Sequence, residues 1–288
     1  MINYSILIPH KNQPLLLQKC INSVPLRDDV QIIVVDDNSD PEIVDFNNFP
    51  GKDNPMVEIH LTKEGKGAGY ARNVGLPHVK GKWLTIIGAD DYFNPCLSQA
   101  MDEFADTTYD VVFFKGTAIR LSDGKESTRG DELNNRIEVA LNTGDFTLAL
   151  LYSGDVKKFF NMNFIKTHNL TFNEVRWGND VVFMSWVAYY AQSCCASNLP
   201  IYCITESDTS LIKSRTKESL IVRFLEEGKN VEIVSQRFPF EKSIYYWYFR
   251  AWFNLYKVSK AHALKYLPKS IKIGGVNFMK EIINAKFS

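Results

Sequence analysis

The feature that most constrains the fold is an alternation of short apolar runs with helical segments over about the first 115 residues. The runs predict buried strands at residues 4–9, 31–35, 57–61, 82–87 and 110–114. Helices are predicted at residues 13–23 and 97–104, after Asp40-Pro41, and in a turn that runs into a helix at residues 67–75. Such alternation is typical of βαβ units, so we predict an α/β fold with a mainly parallel sheet flanked by helices.

Two pairs of adjacent carboxylates follow strands of this predicted sheet. Asp36-Asp37 comes after the second strand and Asp90-Asp91 after the fourth. Ligands of parallel α/β sheets bind beyond the carboxyl ends of the strands. Asp90-Asp91 is suited to a hard cation such as Mg²⁺, which neutralises charge on a diphosphate leaving group. Asp36-Asp37 is suited to accepting hydrogen bonds from a nucleobase or a ribose. Solvated turns are the alternative for both pairs.

A glycine-rich segment lies between the two pairs. Gly67 and Gly69 allow close approach of the backbone to a ligand, and Arg72 offers a planar guanidinium for phosphate or nucleotide oxygens. The segment lacks the Gly-Lys-Ser/Thr of a Walker A loop. It also does not close the first βα unit, which disfavours a dinucleotide-binding Rossmann domain.

Composition narrows the class of protein. The 288 residues are 45% hydrophobic, 13% aromatic and 23% charged, as in soluble globular proteins. Lys and Arg number 33, as do Asp and Glu, so the whole chain is not expected to bind nucleic acid. Five cysteines without C-x-x-C spacing predict reduced thiols. We recognise no signal peptide and no apolar run of about 18 residues, so we expect a cytoplasmic protein.

Four segments in order resemble the GT-A nucleotide-sugar transferases of glycosyltransferase family 2. They are Ser-Ile-Leu-Ile-Pro at residues 5–9, Ile-Val-Val-Asp-Asp-Asn-Ser at 33–39, Gly-Tyr-Ala-Arg-Asn-Val-Gly at 69–75 and Gly-Ala-Asp-Asp at 88–91. The resemblance covers residues 3–115 well and continues less closely to about residue 215. It implies a Rossmann-like GT-A fold and an inverting enzyme that uses a nucleotide-sugar donor.

The resemblance also implies roles for four residues near the nucleoside. Pro9 would lie against the nucleoside at the end of the first strand. Asp37 would accept a hydrogen bond from the uracil of a UDP donor, with Asp36 as a supporting carboxylate. Arg72 would lie by the base and help to hold the nucleotide.

Other residues are implied to act around the diphosphate. Asp90-Asp91 looks like a contracted form of the family's D-x-D motif. Asp90 would lean toward the ribose or the donor sugar, and Asp91 would bind Mn²⁺ or Mg²⁺. In the loop at residues 207–215, Lys213 and Arg215 are candidates for reaching phosphate oxygens, with a solvated basic loop as the alternative.

The catalytic base is expected near the start of a later helix. The family usually has Glu-Asp there, and residues 177–183 resemble that segment with Asn179 in place of the glutamate and Asp180 as the base. An ordinary helix cap is the alternative for Asp180. Glu174 is a second candidate for the base, and Trp177 is a candidate for stacking on an acceptor sugar. The five histidines are scattered, with no obvious metal partner.

The second half is less regular. We predict a mobile polar loop at residues 123–136, a strand at 201–204, a loop at 205–217, and helices at 145–152, 180–192 and 218–236. Residues 241–288 carry nine basic and two acidic side chains, a net charge of +7, which leaves −7 on residues 1–240. This segment is also dense in aromatics. It is expected either to contact an anionic membrane surface or to pack its aromatic face on the catalytic domain.

Together these observations predict a catalytic GT-A domain at residues 1–215 and a helical, basic-aromatic C-terminal extension at 216–288. Residues 1–115 would bind the nucleotide sugar and 116–215 would face the acceptor. The predicted activity is transfer from a nucleotide sugar, for which a UDP-sugar is expected, to a sugar or a lipid-linked sugar, in bacterial polysaccharide or lipopolysaccharide synthesis. A nucleotidyltransferase and a non-catalytic GT-A-like nucleotide-binding module are the alternatives.

Overall fold

The computed structural model describes residues 1–152, 154–207 and 213–285, and the side chains only as far as residue 280. Its strands form one sheet. They are β1 (Tyr4–His10), β2 (Val30–Asp36), β3 (Val57–Leu61), β4 (Trp83–Ile86), β5 (Tyr92–Phe93), β6 (Val111–Arg120), β7 (Lys158–Asn161) and β8 (Cys194–Glu206). The helices longer than one 3₁₀ turn are α1 (Pro14–Asn22), α2 (Ala68–Gly75), α3 (Leu97–Phe104), α4 (Asp131–Thr143), α5 (Thr147–Leu150), α6 (Met162–Thr167), α7 (Val181–Tyr190), α8 (Lys217–Val234), α9 (Lys242–Val258) and α10 (Lys260–Ala285).

The strand order across the sheet is β3-β2-β1-β4-β7-β6-β8-β5. β1, β2, β3 and β4 are parallel to one another, and β6 is parallel to β8. β7 runs antiparallel to β4 on one side and to β6 on the other, and β5 is antiparallel to β8. The predicted α/β sheet flanked by helices is therefore confirmed, and the sheet is mixed, with its longest parallel run at the N-terminal end.

The core lies on both faces of the sheet, because successive side chains of a strand point to opposite faces. On β1, Leu7 points into one apolar cluster, whereas Ile6 and Ile8 point into the other. The Leu7 cluster is continuous with α2 and α7 and with the C-terminal helices α8, α9 and α10. The cluster of Ile6 and Ile8 is closed by α1 and α3.

The aromatic part of the C-terminal segment packs inward. Along α9, five large side chains are buried in the Leu7 cluster: Tyr245, Tyr248, Phe249, Trp252 and Leu255. Their spacing of three and four residues places them on one face of the helix. Of the two expectations for this segment, the structure supports packing against the rest of the chain for these aromatics. Whether residues 216–288 form a separate domain stays a prediction.

Several local expectations were wrong. The helix predicted after Asp40-Pro41 is a turn, followed by a short 3₁₀ helix at Phe46–Asn48. Within the predicted mobile loop at residues 123–136, residues 131–136 are the start of α4. That helix buries Leu133, Ile137 and Ala140 on one face, and acidic side chains in its first turn favour its N-terminus.

Two elements have other bounds than predicted. The helix expected at residues 145–152 is confined to α5. The strand expected at 201–204 is the end of β8, which begins at Cys194 because it pairs along the whole of β6. Of the loop expected at residues 205–217, residues 208–212 lie outside the described part of the chain.

Candidate active site

His10, at the end of β1, is beside Asp36, at the end of β2, because the two residues pair across the parallel strands. His10 Nδ1 lies 2.7 Å from Asp36 Oδ2, and His10 Nε2 accepts a hydrogen bond from the Gln13 amide at 3.1 Å. His10 is therefore the neutral tautomer that donates from Nδ1. Ser39 donates to both Asp36 oxygens, from its amide at 2.8 Å and its hydroxyl at 2.6 Å.

These contacts hold Asp36 as an anion. Burial alone would raise the pKa of its carboxyl, but the hydrogen bonds from His10 and Ser39 outweigh burial and leave the pKa below its ordinary value. Because both oxygens are occupied, Asp36 supports the turn after β2. This geometry fits the supporting part that the sequence analysis gave it.

The neighbouring Asp37 is buried but only partly bonded. Its Oδ2 accepts from the Gly67 amide at 2.8 Å, and Lys11 Nζ lies 3.6 Å from the same oxygen. Gly67 has φ +99, which favours glycine, so the glycine-rich segment can present its amide here. Asp37 Oδ1 is buried, and it has no hydrogen-bond partner among the described residues. A buried carboxylate oxygen of this kind can accept a hydrogen bond from a donor group of a ligand.

The second pair, Asp90-Asp91, follows β4 and faces the end of β8. Asp91 Oδ2 accepts from the Tyr202 hydroxyl at 2.6 Å, and Oδ1 accepts from the Thr205 amide at 2.6 Å. Gly88 lies against the pair: a Cβ there would come within 2.6 Å of Asp90 Oδ1. The turn therefore holds two carboxylates close together under partial burial.

The electrostatics of Asp90-Asp91 are opposite to those of Asp36. Burial raises the pKa of Asp91 to about 7, the Asp90 carboxylate adds to the rise, and the Tyr202 hydrogen bond opposes it. Burial also raises the pKa of Asp90. Two carboxylates sharing a site repel each other when both are ionised. A cation would relieve that repulsion.

Arg129 lies near this pair, and the sequence analysis did not single it out. Its Nη1 donates to the Thr205 carbonyl at 3.4 Å, and its charge opposes the rise in the pKa of Asp90 and Asp91. The same charge acts on Tyr152. Arg129 lies in the stretch predicted to be a mobile loop, so no motif marked it. Only the pairing of residues 127–129 with the end of β8 brings it here.

Asp180 precedes α7 at the position of a helix cap, yet its side chain makes no capping hydrogen bond in the described structure. Its carboxyl has a pKa raised to about 6, chiefly by burial and then by the Asp155 carboxylate, while Arg72 and Lys158 oppose the rise. The helix-cap alternative for Asp180 thus lacks the bond that would define it. Asp180 is a half-buried carboxylate, more basic than an ordinary aspartate, and it feels the charges of Arg72 and Lys158.

Arg72 ties α2 to the segment before α7. Its Nε lies 3.1 Å from Asp155 Oδ2, and its Nη1 donates to Asn179 Oδ1. Gly69 allows this approach, because a Cβ there would meet the Asn173 carbonyl oxygen at 2.1 Å. The structure therefore places Arg72 with Asn179 and Asp180. Asp155, which is buried beneath Arg72, is another residue that the sequence analysis missed.

The remaining predicted residues vary in exposure. Pro9 is half-buried at the end of β1. Trp177 is 8% exposed, with the Arg176 guanidinium 5.1 Å from its ring, so little of the ring is open to a sugar. Lys213 Nζ lies 3.4 Å from Glu206 Oε1, and Arg215 donates to the Ser214 carbonyl at 3.0 Å. Residues 208–212, between Ser207 and Lys213, lie outside the described part of the chain.

One cluster of possible metal ligands lies on the edge strand β3. Glu58 Oε1 is 2.9 Å from His60 Nε2 and 3.5 Å from His78 Nδ1, and the two imidazole rings stack at 3.8 Å. The expectation that no histidine has an obvious metal partner was therefore wrong for these two. Lys80 Nζ lies 2.9 Å from Glu58 Oε2 and supplies the positive charge that a cation would otherwise bring.

The mixed sheet, its flanking helices and the carboxylates at the ends of β2 and β4 define the GT-A class of fold. The model of the family described as glycosyl transferase family 2 matches residues 5–166, more than half of the chain. The chain belongs to this family. The match includes both aspartate pairs and Arg72 and ends before Asp180.

Curated relatives agree with the family. The chain is 28% identical over 196 residues to the GalNAc(5)-diNAcBac-PP-undecaprenol beta-1,3-glucosyltransferase of Campylobacter jejuni, covering 67% of this chain and 61% of that protein. It is 26% identical to the poly(ribitol-phosphate) beta-glucosyltransferase of Bacillus spizizenii, covering 62% of this chain and 28% of that protein. The chain thus matches less than two thirds of the length of these relatives.

Solved structures confirm the fold. The structure of Staphylococcus aureus TarS in complex with UDP-GlcNAc superposes with a TM-score of 0.63 at 16% identity, covering 98% of this chain and 92% of that one. At this identity the likeness concerns the fold. Across the described ranges, none of the helices combines the length and the apolar character needed to cross a membrane.

Proposed function

We propose that this family 2 transferase is an inverting, metal-dependent glycosyltransferase that moves a sugar from a UDP-sugar to a hydroxyl of a glycan acceptor. Two relatives are named for glucosyl transfer to an undecaprenol-linked glycan and to poly(ribitol phosphate). The fold is shared with a protein solved with UDP-GlcNAc. These names support a lipid-linked or polymeric acceptor of polysaccharide synthesis.

The single observation that carries the donor assignment is the buried Oδ1 of Asp37, which has no hydrogen-bond partner in the part of the chain that the structure describes. Leaving a buried carboxylate oxygen without a donor costs about 1–3 kcal/mol or more, so a ligand N–H placed there is strongly favoured. The imide N–H of uracil is such a donor. Pro9, half-buried at the adjoining end of β1, would lie against the nucleoside. Arg72 donates a hydrogen bond to Asn179, which precedes the proposed base Asp180, and it would therefore act nearer the donor sugar than the nucleobase.

The residues after β4 fit a divalent cation. Asp90 and Asp91 supply oxygen ligands of the kind that Mg²⁺ and Mn²⁺ prefer, and both carboxyls have raised pKa values that a nearby cation would lower. When bound, the ion would neutralise charge developing on the diphosphate. Asp91 would hold the metal and Asp90 would lean toward the ribose or the donor sugar. Arg129, Lys213 and Arg215 would support the phosphates.

Asp180 is the proposed base. A pKa of about 6 leaves its carboxyl mostly ionised at neutral pH while making it more basic than an ordinary aspartate. It would take the proton of the acceptor hydroxyl as that oxygen forms a bond to C1 of the donor sugar and the C1–O bond to the diphosphate breaks. The proton ends on Asp180 and the electron pair on UDP. Attack opposite to the leaving group inverts the anomeric centre.

The test is Asp180→Asn. General-base catalysis typically contributes about 10²–10⁴ in rate, so turnover should fall by that factor while UDP binding measured by calorimetry stays within about threefold. Asp123→Asn, an exposed change, is the matched control. Near-normal turnover of Asp180→Asn would refute the assignment. A wild-type protein that binds UDP and Mn²⁺ without transfer or hydrolysis would instead favour the non-catalytic module.

Peripheral contact with an anionic membrane is proposed for α10. Its exposed lysines Lys265, Lys269, Lys272 and Lys280 alternate with exposed apolar side chains such as Leu264 and Val276. Basic and apolar side chains together suit anionic lipid surfaces. Changing the four lysines to glutamine should abolish flotation with phosphatidylglycerol liposomes, and the wild type should not float with phosphatidylcholine. Equal flotation of both proteins would contradict the membrane role.

A further inference from the structure

We propose that a cavity between α4, α8 and α9 binds one neutral sugar ring of the acceptor and holds it beside Asp180. The inference rests on the proposed function, because it supplies the acceptor site that the function needs. The cavity has a volume of about 210 Å³. Ligand sites for drug-sized molecules typically measure about 300–1,000 Å³, so this one has room for a single ring with the rest of the acceptor outside.

The cavity adjoins the proposed base. Tyr152 and Glu227 both line it. Asn230 lines it too, and its Oδ1 accepts a hydrogen bond from the Ser185 hydroxyl of α7 at 2.8 Å. A Cβ at Gly178 would lie 3.8 Å from Glu226 Cβ, directly before Glu227. The start of α7, which Asp180 precedes, therefore packs against α8 at the cavity, and the Asp180 charge raises the pKa of Tyr152 and Glu227 accordingly. Lys158, which touches the Tyr152 ring face at 5.3 Å, also lies within reach of the Asp180 charge. A ring in the cavity would therefore present a hydroxyl toward Asp180.

The polar lining suits hydroxyl groups. Asn230 Nδ2 donates to Glu227 Oε2 at 3.2 Å, and Arg136 Nη2 donates to Glu132 Oε1 at 2.7 Å. Carboxylate and amide side chains held in pairs offer both donors and acceptors in fixed directions. A pyranose carries the matching set of donors and acceptors around its rim. The pairs therefore provide orientation without any change of fold.

The aromatic lining suits the apolar face of a pyranose. Trp247 on α9 lines the cavity and is 36% exposed, whereas Tyr245, Tyr248, Phe249 and Trp252 of the same helix are buried in the core. An exposed indole is expensive in water unless something covers it, and a sugar ring offers a flat array of C–H groups for that purpose. The Arg250 guanidinium lies over the Trp247 ring, 5.1 Å from its centroid, and helps to fix the position of the ring.

The charges favour a neutral sugar over a uronic acid or a phosphate. Glu132 and Glu227 line the cavity, and Asp180 precedes the neighbouring α7. Burial raises the pKa of Glu227 to about 7, so Glu227 carries only part of its charge at neutral pH, and Glu132 and Asp180 supply the rest. The neighbouring cations are already used: Arg136 is paired with Glu132, and Lys158 donates to the carbonyls of Gly154 and Val156. Burial lowers the pKa of Lys158 to about 7, which further reduces its charge. An anionic ring would meet repulsion here.

The experiment measures binding of simple glycosides by saturation-transfer NMR. The probes are methyl β-D-glucopyranoside, methyl β-D-galactopyranoside, methyl N-acetyl-β-D-glucosaminide and sodium D-glucuronate, each with and without UDP. At least one neutral glycoside should bind, and Trp247→Ala should weaken it about tenfold. Trp247→Phe should keep most of the affinity. Tyr246→Ala is the matched control, since Tyr246 is the adjacent residue, 44% exposed, and does not line the cavity.

Circular dichroism would show whether Trp247→Ala still folds. A second variant keeps the inference testable if it does not. Glu227→Gln keeps the shape of the side chain and should weaken the same glycoside about fivefold, whereas the exposed Glu232→Gln on the same helix should not. Absence of binding by every neutral glycoside, equal affinity in Trp247→Ala, or preference for glucuronate would overturn the inference. If UDP still binds by calorimetry in those cases, the proposed function survives. Glycoside binding by a protein that binds no nucleotide would overturn the acceptor role together with that function.

Discussion

The ends of β2 and β4 carry the same dipeptide, Asp-Asp, in opposite electrostatic states. After β2, Asp36 is saturated by His10 and Ser39, and its pKa lies below the ordinary value. After β4, burial and mutual repulsion raise the pKa of Asp90 and Asp91. Partners rather than sequence decide the difference. At Asp36 the hydrogen bonds outweigh burial, so the carboxylate supports the fold. At Asp91 burial and the Asp90 carboxylate outweigh the hydrogen bonds from Tyr202 and Thr205, so the second pair is poised for a cation.

The variant expected to have the largest effect, Asp91→Asn, tests whether the second pair differs from the first by holding a cation. If the second pair holds a catalytic cation, loss of one charged ligand removes several kcal/mol of transition-state stabilisation, and turnover should fall on the order of 10³. Donor binding should also lose its dependence on Mn²⁺. Turnover with Mn²⁺ and calorimetry with UDP-sugar would measure both.

The control for that variant is Asp102→Asn, since Asp102 is an exposed carboxylate paired with Arg27 at the surface. Its turnover should match the wild type. Should Asp91→Asn keep both its turnover and its response to Mn²⁺, the second pair would be a solvated turn like many others.

The next prediction concerns stability without divalent cations. Asp36→Asn should lower the free energy of unfolding by about 2–3 kcal/mol, because it removes charge-assisted hydrogen bonds from a buried site. Asp91→Asn should lower the free energy of unfolding by less, or even raise it, because burial disfavours the ionised form of the Asp91 carboxyl. Denaturant unfolding in EDTA at pH 8 would compare the two variants with the wild type.

The stability difference between Asp91→Asn and the wild type should depend on pH, and the raised pKa of Asp91 fixes the direction of that dependence. With a pKa of about 7 in the folded state, Asp91 takes up a proton as pH falls through 7, whereas the unfolded chain does so only near 3.8. The advantage of Asp91→Asn over the wild type should therefore be largest at pH 8 and shrink toward pH 6. For Asp36, whose pKa is lowered, the loss in Asp36→Asn should stay constant over that range. A constant advantage of Asp91→Asn would contradict the raised pKa.

The contrast also shows what sequence alone could predict. The strands β1 to β4, α1 and the glycine-rich turn were predicted because apolar runs and turn residues act locally. The direction of the pKa shift at Asp36 and at Asp91 could not be predicted, because the hydrogen-bond donors to Asp91 come from β8, more than 100 residues away. Arg129 and Asp155 were missed for the same reason: no motif surrounds them, and strand pairing alone brings them to the site.

A similar limit applies to the C-terminal helices. The dense aromatics of residues 241–256 were visible in the sequence, and helical spacing indicated one apolar face. The sequence could not tell whether that face meets lipid or protein, since both are apolar. Only the packing of α9 in the Leu7 cluster separates buried Trp252 from exposed Trp247, and with it a core residue from a candidate sugar platform.

The smallest expected effect comes from Asp37, which lies between the two extremes: Oδ2 has a donor in Gly67, and Oδ1 is buried without one among the described residues. Asp37→Asn keeps the size of the side chain but places an amide N–H₂ on one side, so either Gly67 or the ligand loses its acceptor. UDP affinity should fall about tenfold, equivalent to about 1.4 kcal/mol, with folding little changed. Calorimetry with UDP and CDP would measure it. An equal loss for both nucleotides would place Asp37 in support of the loop, whereas a loss for UDP greater than that for CDP would place its Oδ1 against the uracil imide.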